Sequence, residues 1–114
     1  MPAIDFTLAK SKRRRDWIDT DINFRFDEKI HVYLSNREKN NTNMRLLIYL
    51  DQYSDKLFTE NEIKELINIS EYLLSKYQAE YDRMEKEIRK FAMGMKALCL
   101  EAIERNLLIV SLGD

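Results

Sequence analysis

Apolar residues recur along the chain with two different periods, and the change of period separates a strand-forming end from a helical remainder. Ile4, Phe6 and Leu8 alternate with Asp5 and Thr7, the two-residue repeat of a strand with one buried face. The alternation returns at Ile22, Phe24 and Phe26, and again at Ile30, Val32 and Leu34 after the polar Asp27-Glu28-Lys29. Two such runs about a short polar stretch predict a hairpin, although neither Asn-Gly nor Asp-Gly marks its turn.

Asn36 to Asn43 holds no apolar residue and suits a loop leading to a helix cap. Met44, Leu46, Leu47, Ile48, Tyr49 and Leu50 follow. A helix over about 42–53 with these residues is apolar nearly all round and belongs in the centre of the molecule. A buried strand is the competing assignment, and the preceding Asn-Asn-Thr-Asn favours the helix. Asp51 to Lys56 then reads as a linker. Thr59 and Glu62 have the spacing of a capping box, and Phe58 with Ile63 forms the matching hydrophobic staple, so a helix begins at about Glu60.

From there a seam of alternating four- and three-residue steps runs Ile63, Ile67, Ser70, Leu74, Tyr77, Tyr81, Met84, Ile88, Phe91, Met95, Leu98, Ala102. One helix across 60–106 would be roughly 65 Å long. A hairpin of two helices, broken near Gln78–Arg83, fits a chain of this size better. Gly94 marks close helix packing, and Asn106 suits a left-handed helix end. Leu107 to Leu112 then reads as a short buried strand beside the N-terminal ones. The predicted fold is α+β: N-terminal antiparallel strands plus a C-terminal strand packed on a bundle of two to three helices, in a single domain over 1–114.

Composition agrees with that picture. With 114 residues, 45% of them apolar and 34% charged, and only two glycines and one proline, the chain is globular and helix-leaning. A net charge of -1 supplies no global attraction to nucleic acid or an anionic membrane. The single cysteine excludes an intramolecular disulfide and a cysteine zinc cage. The N-terminal residues do not form a secretory signal, and no segment approaches the ~20 apolar residues of a membrane span. The expected location is the cytoplasm, without membrane association.

No catalytic constellation emerges. His31 is the one histidine, placed in a predicted strand, and Cys99 lies beside the seam as a small apolar filler. Asp16, Asp19 and Asp21 cluster around Trp17, and Asp51 and Asp55 bracket Tyr53, without the spacing or glycine of a calcium loop. No metal and no cofactor are expected, and two glycines cannot build a phosphate-cradling loop. The run Lys10-Ser11-Lys12-Arg13-Arg14-Arg15 is the best nucleic-acid signal, partly cancelled by the aspartates after it. Tyr77, Tyr81 and Trp17 are assigned to the core, and Tyr72 and Tyr53 to exposed positions.

The stretch Leu46-Leu47-Ile48-Tyr49-Leu50-Asp51-Gln52-Tyr53-Ser54-Asp55-Lys56-Leu57-Phe58 resembles a pattern in small bacterial proteins, some of them grouped with toxin-neutralising immunity proteins. There a leucine-rich helix leads into Asp-Pro-Tyr-Gly-Asp-Thr-Val-Phe and a second helix. Asp51, Tyr53, Asp55 and Phe58 match, whereas Gln52 and Ser54 replace the proline and glycine. The ending Leu107 to Asp114 is similar to the closing strand and Gly-Asp terminus of those proteins. The resemblance covers roughly a fifth of the chain and implies an α+β domain with strands from both termini in one sheet, and no catalytic residue.

These readings converge on a non-catalytic protein-binding module of the immunity-protein kind, with Asp19, Asp21, Asp51, Tyr53 and Asp55 as the partner-binding rim. Two alternatives stand beside it: a structural homodimer pairing through the seam of helices 60–106, and a nucleic-acid-associated protein using 10–15.

Overall fold

A computed structural model describes residues 3–113. β1 (Ala3–Ala9) has Ile4, Phe6 and Leu8 buried and Ala3, Asp5 and Thr7 half-exposed, as its alternation predicts. Antiparallel beside it lies β5 (Leu108–Leu112), with Asp5 opposite Leu112 and Ala9 opposite Leu108. Two short strands share the other edge of β1. These are β2 (Trp17–Ile18), paired with Leu8 and Ala9, and β3 (Phe26–Asp27), paired with Ala3 and Ile4. On the far side of β5, β4 (Lys56–Phe58) completes an antiparallel sheet of order β2-β1-β5-β4, so both ends of the chain meet in its centre.

Two long helices pack on this sheet. α3 (Glu60–Lys76) starts with the predicted capping box: the Thr59 hydroxyl accepts from the Glu62 N–H at 3.2 Å, and the Glu62 carboxylate accepts from the Thr59 N–H at 3.0 Å. α4 (Arg83–Glu104) is capped by Asp82, which accepts from the Glu85 N–H at 3.0 Å. The break between them contains neither glycine nor proline. Arg89 donates to the carbonyls of Tyr77 and Ala79 at 2.8 and 3.2 Å, satisfying groups that the end of α3 leaves open. At the other end Asn106 has φ 58°, and the Leu107 N–H reaches back to the Ala102 carbonyl at 2.8 Å, a Schellman closure. The seam therefore folds back on itself. Its members Ile63, Ser70, Tyr77, Ile88, Phe91, Met95, Leu98 and Ala102 are buried. Tyr81, assigned to the core by the seam, instead lies in the break and is 94% exposed.

Four expectations fail between residues 22 and 58. Ile30, Val32 and Leu34 belong to a helix, α1 (Glu28–Arg37), not to a strand. Ile30 and Leu34 are both two alternations and one helical turn apart, so either period buries them; Val32, at 53% exposure, shows which one holds. Asp27 starts this helix by accepting from the Lys29 N–H. Of the run 22, 24, 26, only Phe26 enters a strand, and the hairpin that forms is β1–β2, closed by the Lys10 N–H on the Asp16 carbonyl at 3.0 Å.

The helix expected over 42–53 is a 3-10 turn at Thr42–Met44 followed by a single α-turn, α2 (Arg45–Ile48). Met44, Leu47, Ile48 and Leu50 are buried, but Tyr49 is 68% exposed. The segment read as a linker ends in β4, a strand too short to show alternation. A single cluster joins Ile4, Phe6, Leu8, Phe58 and Ile109 of the sheet to side chains of all four helices. Among the described residues no helix is long and apolar enough to cross a membrane.

Candidate functional site

The loop joining α2 to β4 presents aromatic and acidic side chains from a constrained backbone. Tyr49 and Tyr53 are 68% and 67% exposed. Asp51 accepts from the Tyr53 N–H at 2.8 Å, which bends the chain without a proline in the turn. Asp55 accepts from the Gly113 N–H at 3.0 Å, tying the loop to the end of β5. Gly113 approaches the backbone of Tyr53 and Ser54 so closely that a Cβ there has no room. Beside the loop lies a cleft of about 300 Å³ lined by Arg45, Leu46, Tyr49, Leu50, Asp51 and Lys56. Tyr49, Leu46 and Leu50 thus share this small cleft with charges of both signs, while Tyr53 stands outside its lining.

Asp19 and Asp21 are not part of this surface. They follow β2, and the sheet order sets β2 and β4 on opposite edges. Between them Thr20 donates to Glu101 at 3.3 Å and accepts from the Ile22 N–H at 3.2 Å, beside a pocket of about 160 Å³. The five predicted rim residues thus divide: Asp51, Tyr53 and Asp55 lie on one loop, and Asp19 and Asp21 lie apart. Asp51 and Asp55 also hold backbone N–H groups, so part of their role is to shape the loop. The closing aspartate of the predicted Gly-Asp terminus, Asp114, lies outside the described residues.

Sequence reasoning missed Glu38, whose carboxylate accepts four side-chain hydrogen bonds. It stands at the end of α1, only 2% exposed. One carboxylate oxygen accepts from Tyr72 Oη at 2.8 Å and Asn41 Nδ2 at 3.2 Å; the other accepts from Lys76 Nζ at 2.6 Å and Tyr77 Oη at 2.5 Å. Burial pushes its pKa up, but the four donors, Lys76 foremost, outweigh that and hold it at about 2. Lys76 is shifted upward by its bond to Glu38, and Tyr77 is shifted upward by burial and then by the same carboxylate.

A general acid or base serving near neutral pH needs the opposite shift and a free lone pair. Glu38 therefore acts as a pin between α1 and α3. Tyr72, expected to be exposed, is half-buried against it. The one trace in the sequence was Tyr72, Lys76 and Tyr77 at helical spacing, with nothing to single out their acceptor in a polar loop.

The remaining reactive types are similarly occupied. His31 sits in α1 rather than in a strand, its Nε2 2.8 Å from the Ile48 carbonyl and its ring stacked 4.6 Å from Phe26. Cys99 is fully buried, and burial raises its thiol to about 12, away from the thiolate a nucleophile needs. Lys12 to Arg15 are exposed at the tip of the β1–β2 hairpin. There Arg14 lies 5.9 Å over Trp17, whose indole donates to the Lys12 carbonyl at 3.2 Å. Trp17 is only half-buried, not the core residue expected. Most of the seam, Ile63, Ser70, Tyr77, Ile88, Phe91, Met95, Leu98 and Ala102, faces the chain's own interior. Among the described residues no group of three His, Cys, Asp or Glu is placed to hold a metal ion. No protein-family model, curated protein or solved structure matches the chain.

Proposed function

We propose that the protein is a non-catalytic protein-binding module of the toxin-neutralising, immunity-protein kind, acting in the cytoplasm through the loop between α2 and β4. The observation that carries this reading is the pair of exposed tyrosines, Tyr49 and Tyr53, on a backbone held by Asp51 and by the Asp55–Gly113 bond. Tyrosine supplies a large contact area at small entropic cost, and an ordered loop loses little freedom on binding. Arg45, Asp51 and Lys56 around the cleft supply the charges that select one partner over another.

Capture from a lysate of the native host with the immobilised chain, followed by identification of the retained protein, tests the reading. A toxin domain retained by the native chain and lost from the Tyr49→Ala/Tyr53→Ala variant is the expected result, with Tyr81→Ala as the exposed-tyrosine control that leaves capture unchanged. Equal retention by all three chains refutes the loop as the binding surface. Retention of nucleic acid alone, released at raised salt, would move the function to the hairpin of Lys10 to Arg15.

A further inference from the structure

The outward face of α4 carries an apolar stripe that no other described residue covers. Met93, Leu100 and Ile103 are 63%, 49% and 43% exposed, and Ala97 is exposed between them. Met93, Ala97 and Leu100 follow four- and three-residue steps, the spacing of one helical face, opposite the buried face of Ile88, Phe91, Met95, Leu98 and Ala102. The stripe is framed on one side by the Lys96–Glu71 pair to α3, at 3.6 Å, and on the other by the Thr20 bond to Glu101. Apolar side chains that line up at these steps on a solvent-facing helix surface form a patch suited to contact with another helix.

The charges along the stripe indicate the occupant. Its N-terminal half is flanked by Lys86 and Lys90, and its C-terminal half by Glu101 and Glu104. Lys90 and Glu104 lie two helical turns to either side of Ala97, and both are exposed without an ion-pair partner among the described residues. Two copies of this helix placed antiparallel and crossing at Ala97 bring Lys90 of each opposite Glu104 of the other. The small Ala97 at the crossing lets the helices approach, and Met93 of each copy packs beside Leu100 of its mate. A parallel arrangement sets like charges together. The pattern is self-complementary about a two-fold axis, which is the requirement for a closed pair.

We infer that this face binds a second copy of the chain, as an antiparallel α4–α4 homodimer centred on Ala97. The surface is separate from the tyrosine loop, so either reading can fail without the other. A contact of one helix per subunit falls below about 1,200 Å², and its dissociation constant belongs in the roughly micromolar to submillimolar range.

Sedimentation equilibrium of the full chain from about 10 µM to about 1 mM covers that range. Lys90→Glu places like charges opposite each other and should weaken dimerisation about tenfold. The double variant Lys90→Glu/Glu104→Lys restores opposite charges and should restore the dimer. Ala97→Cys, the sole accessible thiol because Cys99 is buried, should form a disulfide-linked dimer under mild oxidation, while Val32→Cys on α1 should not. A monomer throughout the range overturns the inference and leaves the stripe to a different partner. So does a dimer indifferent to Lys90→Glu, or one that the charge swap does not rescue.

Discussion

The hairpin of α3 and α4 and the stretch between β2 and β4 both contribute to one core, yet they hold their shapes by different means. In the hairpin, apolar side chains recur at helical spacing, and caps a few residues away close three of the four helix ends: Thr59 with Glu62, Asp82 with Glu85, Leu107 with Ala102. In the stretch, regular structure comes in short pieces, and the bonds that place them reach far along the chain. Glu38 is tied to Tyr72, Lys76 and Tyr77, His31 to Ile48, and Asp55 to Gly113. The difference teaches that one region is stabilised by repetition, where each residue is one contributor among many, and the other by a few long-range polar contacts with nothing to replace them.

Mutation separates the two kinds of support. Leu98 is fully buried in α4, and Leu98→Ala should remove about 4 kcal/mol of stability in urea denaturation. Because the core is shared, hydrogen exchange should then quicken in both regions together. Glu38→Ala leaves the hydroxyls of Tyr72 and Tyr77 without their acceptor and should cost about 3 kcal/mol. Here amide exchange should rise in residues 28–50 while the centres of α3 and α4 stay protected. A uniform rise would mean that Glu38 is no local pin.

Acid acts on the same contact. The Glu38 carboxyl titrates at about 2 in the fold against an ordinary value of 4.5, so its contribution is complete above the ordinary value and is lost as pH falls from there towards 2. That window should remove about 3 kcal/mol from the native protein and much less from Glu38→Ala, so the two stability curves should converge as pH falls.

Smaller effects test where the regions touch. A Cβ on Gly94 would lie 2.6 Å from the Phe24 ring, so Gly94→Ala should destabilise by about 2 kcal/mol by forcing the 22–25 segment off α4, despite the better helix propensity of alanine. The near-ultraviolet circular dichroism of the aromatic cluster reports that displacement, since Phe24 stacks on Phe6 at 5.5 Å and packs against Phe91 at 5.8 Å. Thr59→Ala removes one cap and should cost about 1 kcal/mol, read as a slightly lower thermal midpoint with the rest of the fold unchanged.

Sequence by itself determined what depends on neighbours a few residues apart. The strand of Ile4, Phe6 and Leu8, the start of α3, the left-handed Asn106 and the closing strand were all legible, because alternation, capping and helix closure are short-range geometry. The helical seam was legible too, and compactness pointed to its break. The exposed Tyr53 between Asp51 and Asp55 could be read as well.

Tertiary structure decided the rest. Ile30 and Leu34 satisfy both periods, and only the exposure of Val32 in the folded chain distinguishes them. A strand of three residues such as β4 exists because β5 presents an open edge to it. The division of Asp19 and Asp21 from Asp51, Tyr53 and Asp55 follows from strand order, which no local pattern carries. Glu38 looks like any loop carboxylate until Tyr72, Lys76 and Tyr77, from a distant part of the chain, converge on it beside its neighbour Asn41. Burial and convergence are properties of the packed chain, and a linear pattern carries no distance across the fold.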